Sequence, residues 1–462
     1  MKRREHDNGT EFSRRNFLQT ASAGTALLAL GASGARRLLA EDSSGLLGTA
    51  KDAYIWGFPL VYTVQLLELA KEKNAPVNQF VLSTRLSTPA DKVAGPNVDT
   101  LYGFAWLNLS REPQILHVPD TKGRYYSIQL VDAYGNTFTY VGRRVTGTAA
   151  GRYAIVGPHW NGTLPADVKK INAPTDHVLA LTRTLVSGEA DLSAAQAVQI
   201  QYGLQPLSAY PKAPAVPITN PAALNIFPIL RPGDRGLQFF DDLGSGLSSD
   251  APPASDQAVL DRFGKLGIGP SKGPSQSQDQ AVLATLRDAI PTADAEIRKA
   301  DFSTRFNGWS VNYKIEPFIK DPLLRASTNL YGPGAHVAQE ALYFGAQPEG
   351  KALLDGANKY SLKFPANGLP PVDAFWSLTL YGADFALVEN PIHRYSIGDR
   401  TPGLKYGPDG SLELLVQQAQ PAEGASNWLP APAGQFQLTF RTYQPRPAIF
   451  SGEYRLPPFR KV

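Results

Sequence analysis

The chain has 462 residues, 43% of them hydrophobic and 10% aromatic, with 45 Lys and Arg against 41 Asp and Glu, for a net charge of +4. It has no Cys, and Met1 is its single Met, which excludes a Cys nucleophile, thiolate zinc, iron–sulfur ligation, c-type haem attachment and Cys- or Met-ligated copper. Residues 1–40 carry a net +4 through Lys2, Arg3, Arg4, Arg14, Arg15, Arg36 and Arg37, so the remainder balances at 38 basic and 38 acidic residues, an unpromising surface for nucleic acid or anionic membrane.

The N-terminus reads as a twin-arginine export signal. Ser13-Arg14-Arg15-Asn16-Phe17-Leu18-Gln19 is followed by a weakly apolar, Ala- and Gly-rich run from Ala21 to Ala35. That run is too short to span a bilayer, which needs roughly 20 apolar residues. Small residues beyond it suit cleavage after Ala35 or Ala40. The expectation is export by the twin-arginine translocase to the periplasm or outside, with the leader at 1–40 removed and no stable membrane anchor.

Residues 50–72 have the spacing of a helix that Pro59 kinks or restarts. From Asn97 to Val156 short alternating runs with Gly, Asn and Asp between them predict strands, among them Tyr125–Leu130 and Arg152–Val156. A strand at His177–Val186 and a helix at Ala194–Leu204 follow. Residues 205–275 are rich in Pro, Gly and Ser and read as connecting structure, with helices at Asp256–Leu266 and Gln278–Lys299; Phe239 and Phe240 within this region require burial. Strands return at Phe375–Tyr381, Leu412–Gln418 and Phe436–Tyr443. Tyr125-Tyr126-Ser127-Ile128-Gln129-Leu130 echoes Phe375-Trp376-Ser377-Leu378-Thr379-Leu380, with different spacing downstream. The fold expected is mainly β with helical insertions: an N-terminal β-rich domain over 41–210, a connecting region over 211–340 and a C-terminal β-sandwich over 341–462.

At these segments the chain resembles two bacterial families that occur together, DUF1254 and DUF1214. The first likeness rests on Tyr54–Val61, Asn97-Val98-Asp99-Thr100-Leu101-Tyr102, Gly123-Arg124-Tyr125-Tyr126, Leu130-Val131-Asp132-Ala133 and Gly151–Pro158. The second rests on Pro370–Tyr381, Asn390–Arg400 and Asn427-Trp428-Leu429-Pro430. The resemblance implies two jelly-roll-like sandwiches and no agreed activity.

No Gly-x-Ser-x-Gly, His-Glu-x-x-His or Gly-x-Gly-x-x-Gly motif is present. His336 and Glu340 would share a face, and a metal, if their segment were helical, but two ligands do not make a site, and no metal site or cofactor is assigned. An acid–base enzyme on a small polar or glycan-like substrate would draw its carboxylates from Asp99, Asp132 and Asp384, with Asp373 in the same pool. Asn97, Tyr102, Arg124, Tyr126, Trp376, Tyr381, Arg394 and Trp428 are the ligand-binding candidates, because tyrosine and tryptophan rings with an arginine fork suit a sugar-like or carboxylate ligand. The alternative is a non-catalytic binding or envelope-associated protein with an aromatic pocket and no convergent titratable pair.

Overall fold

The computed structural model describes residues 45–91, 95–220, 230–350 and 353–462; the leader expected at 1–40 lies outside them. The chain opens with α1 (Leu46–Glu72), apolar on every side from Ala53 to Leu66 and therefore enclosed. Pro59 lies inside it without dividing it in two, contrary to a restart. At Gly57 an added Cβ would stand 2.7 Å from Leu243, so the missing side chain lets a second helix close in.

The N-terminal sandwich uses β1 (Val81–Leu82), β2 (Thr100–Asn108), β3 (Gln114–Val118), β4 (Tyr126–Asp132), β5 (Thr137–Gly142), β6 (Gly151–Val156), β7 (Lys169–Asn172), β8 (His177–Leu185), α2 (Leu192–Gln199), β9 (Gly203–Pro206) and β10 (Ile218–Thr219). Its front sheet has the order β10-β1-β2-β8-β4-β5 and its back sheet β7-β6-β3-β9. Period-two alternation along β8 explains the packing. Val178 and Ala180 enter the core between the sheets, while Leu179 and Leu181 join a second core with the helices.

Those helices are α1, α3 (Gln238–Ser249), α4 (Gln257–Gly264), α5 (Gln280–Lys299) and α6 (Pro322–Tyr331). Phe239 and Phe240 of α3 are fully buried, as their size demands. Asp279 and Asp321 cap α5 and α6 by accepting from two backbone amides each.

The C-terminal sandwich begins before residue 341. β11 (Thr304–Phe306) and β12 (Trp309–Val311) join β13 (Ala341–Ala346), β16 (Val372–Gly382), β17 (Ser396–Gly398) and β20 (Gln435–Pro445) in a front sheet ordered β11-β12-β13-β20-β16-β17, with β14 (Leu354–Asp355) beside β20. Its back sheet is β19-β18-β15-β21, from β15 (Tyr360–Phe364), β18 (Leu412–Gln417), β19 (Trp428–Pro430) and β21 (Phe459–Lys461). The short α7 (Pro447–Ser451) precedes β21.

The two sandwiches repeat each other in strand order and at several matching register positions. Opposite Arg183 on β8 stand Tyr102 on β2 and Ser127 on β4. Opposite Arg441 on β20 stand Tyr343 on β13 and Ser377 on β16. Gly142 faces Ser127 from β5, and Gly398 faces Ser377 from β17. Each back sheet holds one parallel pair, β6 with β7 and β18 with β19. The echo of Tyr125–Leu130 in Phe375–Leu380 falls on the matching strands β4 and β16, and the chain continues differently after each: β4 and β5 are joined by a tight turn, β16 and β17 by 13 residues.

The front sheets meet at Tyr125, Phe375 and Tyr443, which form one small cluster with Ala341. Phe375 and Tyr443 stack at 4.0 Å, and Tyr125 sets its edge against both. Ion pairs cross this seam reciprocally. Arg144, two residues past Gly142, reaches Glu340 just before β13; Arg400, two residues past Gly398, reaches Asp99 just before β2.

Candidate functional site

A cavity of about 290 Å³ lies where the front sheets and α6 converge. Asn97, Tyr102 and Arg183 line it from the N-terminal sandwich, and Tyr343, Thr439 and Arg441 from the C-terminal one. Ser310 and Asn312 on β12 and just after it, Thr328 and Tyr331 on α6, and the loop Gly332–Ala335 complete much of the wall.

Arg183 and Arg441 decide its chemistry. Each sits on the central strand of its sheet, where alternation points it away from the sandwich core and toward the seam. Arg183 Nη1 donates to Gln129 Oε1 at 2.8 Å and Nη2 to the Gly334 carbonyl at 2.7 Å, and the guanidinium lies 5.1 Å from the Tyr102 ring centre. Arg441 Nη1 donates to Thr379 Oγ1 at 2.8 Å, and Nη2 to the Tyr381 hydroxyl at 2.5 Å and more distantly to the Gly95 carbonyl; the guanidinium lies 5.9 Å from the Tyr343 ring centre. Gln129 and Thr379 hold matching positions on β4 and β16, so the arginines are held alike. Both arginines are buried, at 6% and 4% exposure. Among the described residues neither has a carboxylate within ion-pair distance. Arg441 Nε is buried with no protein acceptor. A guanidinium does not shed its proton in a protein, so two buried cations without a directly paired carboxylate face one cavity; Asp99, behind the wall, acts on Arg441 only at longer range.

The sequence candidates divide around this cavity. Asn97 and Tyr102 line it. Asn97 Nδ2 donates to the Tyr443 hydroxyl, and Asn97 Oδ1 accepts from the Asp99 amide at 2.5 Å. Asp99 stands behind, accepting from Ser377 Oγ and from Arg400 Nη2, each at 2.7 Å. The Tyr381 hydroxyl accepts from Arg441 and donates to the Pro96 carbonyl; burial raises its pKa.

The other candidates serve elsewhere. Asp132 accepts from the amides of Tyr134 and Asn136 in the turn after β4, and burial raises its pKa to about 6. Asp384 accepts from the Ala386 amide in an exposed turn. Asp373 pairs with Arg446 at the surface. Arg124 forms a fork on Asp191 at 2.5 and 2.7 Å. Tyr126 stacks on Tyr202 in the N-terminal core, and Trp376 stacks on Phe440 in the C-terminal core. Arg394 donates to the carbonyls of Ser426 and Trp428, while the Trp428 indole donates to the Gln417 carbonyl, so the pair fastens a loop.

His336 and Glu340 lie in turns before β13 and not on a helix, which removes the shared face a metal would need. His336 contacts the Tyr140 hydroxyl, and burial beside Arg183 and Arg144 pushes its pKa well below the usual histidine value. Glu340 accepts from the Tyr125 hydroxyl and from Arg144. Among the described residues no group of three His, Asp or Glu side chains converges as a metal site. No described helix is long and apolar enough to cross a membrane.

Residues 77–206 match the family described as Protein of unknown function (DUF1254), and residues 340–447 the family described as Protein of unknown function (DUF1214). The chain joins a DUF1254 region to a DUF1214 region. No curated protein matches it. A crystal structure of a Vibrio parahaemolyticus protein is similar at 24% identity, covering 90% of this chain and 100% of its own, with a TM-score of 0.70, and so shares the fold. A crystal structure of an uncharacterized Burkholderia cenocepacia protein aligns at 13% identity over 93% of each chain with a TM-score of 0.42. The DUF1254 region supplies Tyr102 and Arg183 to the cavity, and the DUF1214 region Tyr343 and Arg441. Arg183 was missed in the sequence, although a lone charge in the apolar run Val178–Val186 marked it.

Proposed function

We propose that this protein binds a small anionic, polar molecule between its two sandwiches and is not an acid–base enzyme at that cavity. The observation that carries the reading is the pair of buried guanidiniums without carboxylate partners lining one cavity. Leaving two cations desolvated and unpaired is costly, and an entering carboxylate accepts their remaining N–H groups in charge-assisted bonds. Tyrosine faces flank each cation and give the ligand's carbon skeleton a wall. Catalysis of glycoside-hydrolase type needs two carboxylates on the cleft. Among the described residues the lining carboxylate is Asp301, and it is held by Arg305 at 2.5 Å.

The test is a thermal-shift titration of the purified protein with glucose, glucuronate and glutarate at low salt. The acids should raise Tm and glucose should not, and R441M should abolish the rise. Stabilisation by glucose equal to that by the acids, or by none of the three, overturns the reading.

We infer also that binding takes place in the periplasm or outside, after twin-arginine export. The support is Arg14-Arg15 with the apolar run and small residues behind it. Replacing Arg14 and Arg15 by Lys should leave the protein in the cytosol with residues 1–35 attached. Normal export of that variant refutes the route.

A further inference from the structure

We propose that the cavity takes an α,ω-dicarboxylate, with one carboxylate on each arginine. The inference rests on the anion-binding reading above and narrows it to a class of ligand. Its basis is the duplication. Tyr102 with Arg183 and Tyr343 with Arg441 are the same cross-strand pair, at the same register, in two sheets that face one another across the seam. The reciprocal ion pairs Arg144–Glu340 and Arg400–Asp99 occupy matching positions too, so the halves meet with an approximate two-fold relation. A cavity on such a seam receives one equivalent cation from each sandwich. A one-headed acid satisfies one guanidinium and leaves its counterpart buried without a counter-charge; a two-headed acid satisfies both.

Size admits short two-headed acids. The 290 Å³ cavity has room for ten or more water-sized groups at about 10–15 Å³ each. Dicarboxylates of four to six carbons have eight to ten heavy atoms and fit. The wall also carries Leu181, Tyr331 and the two tyrosine rings, which suit a short methylene chain, and Asn97 and Thr439, which suit a hydroxyl substituent.

Isothermal titration of the full chain at low salt, with butyrate, succinate, glutarate, adipate and inorganic phosphate, tests this. One of the three dicarboxylates should bind at least tenfold more tightly than butyrate. R183M and R441M should each bring that dicarboxylate down to the affinity of butyrate, while R152M, at an exposed ion pair, should change nothing. The ligand series needs no variant and stands if R183M or R441M fails to fold. Equal affinity for butyrate and the best dicarboxylate, lost in R441M, overturns the two-headed ligand and keeps the anion site. Tightest binding by phosphate means one compact anion and likewise overturns it. Binding of none of the five removes both readings.

Discussion

Asp132 shows how a sequence motif acquires a role from its surroundings. Its carboxylate accepts from two amides in a buried turn, yet burial outweighs those bonds and raises its pKa from 3.8 to about 6. Well below pH 3.8 the group is neutral in both folded and unfolded chains. Between about 4 and 6 the unfolded chain ionises and the folded one keeps its proton, so the group's contribution to stability falls as pH rises through that window. Urea unfolding of wild type and D132N should therefore show the wild type losing stability relative to the variant from pH 4 to pH 6. Two pKa units set a ceiling of about 3 kcal/mol on that loss. A pH-independent difference would remove the buried-acid account. Arg183 and Arg441 make the complementary point: an arginine on an apolar strand signals either a buried ion pair or a ligand, and only its neighbours tell which.

At the level of the element, glycines fix how closely strands approach. A Cβ on Gly398 would lie 2.3 Å from the Trp376 carbonyl oxygen, and one on Gly142 would lie 2.7 Å from that of Tyr126. Backbone cannot move aside as a side-chain tip can, so G398A and G142A should each cost about 1–3 kcal/mol, with G398A the worse. G434A, with open space around it, should be neutral by the same thermal unfolding measurement. Helix starts obey local rules. D321A removes the acceptor for the amides of Leu323 and Leu324 and should cost about 1 kcal/mol in chemical denaturation. Asp-Pro before Leu323-Leu324 marks the cap at Asp321, but the helix it starts was not among the sequence expectations. The irregular segment Ala335–Glu340 was not legible either: His336 and Glu340 have helical spacing, yet the chain passes through a turn there and enters β13 at Ala341.

Across the whole molecule, the seam between sandwiches depends on ions buried at unequal depth. Glu340 is 1% exposed and Arg144 more open; Asp99 is buried and Arg400 partly so. Replacing one partner leaves the other charge stranded, at about 3–5 kcal/mol for a buried pair. E340Q should approach the lower figure, because Arg144 retains access to water, whereas E453Q at the surface should change little. In the double variant D99N/E340Q both cross-seam pairs are lost, and calorimetry should resolve two transitions where the wild type is expected to show one. A single transition at unchanged Tm would mean that the aromatic cluster of Tyr125, Phe375 and Tyr443 couples the halves without them.

By itself the sequence determined the absence of cysteine chemistry, the charge balance beyond residue 40, several of the long strands and four of the helices, and the echo between two β segments. These are local properties: alternation, capping residues and turn residues act over a few positions. The tertiary structure decided which polar residues meet. Tyr102 and Arg183, or Tyr343 and Arg441, come together through strand register across about 80 or 100 residues of intervening chain, and no spacing rule reports that. It also separated the candidates. Asn97 and Tyr102 reached the cavity; Arg124, Trp376, Arg394 and Trp428 went to ion pairs, cores and loop ties, since the same side-chain chemistry that recognises a ligand also satisfies buried backbone and charge. The cavity exists because two copies of one sheet face each other, and that is a property of packing alone.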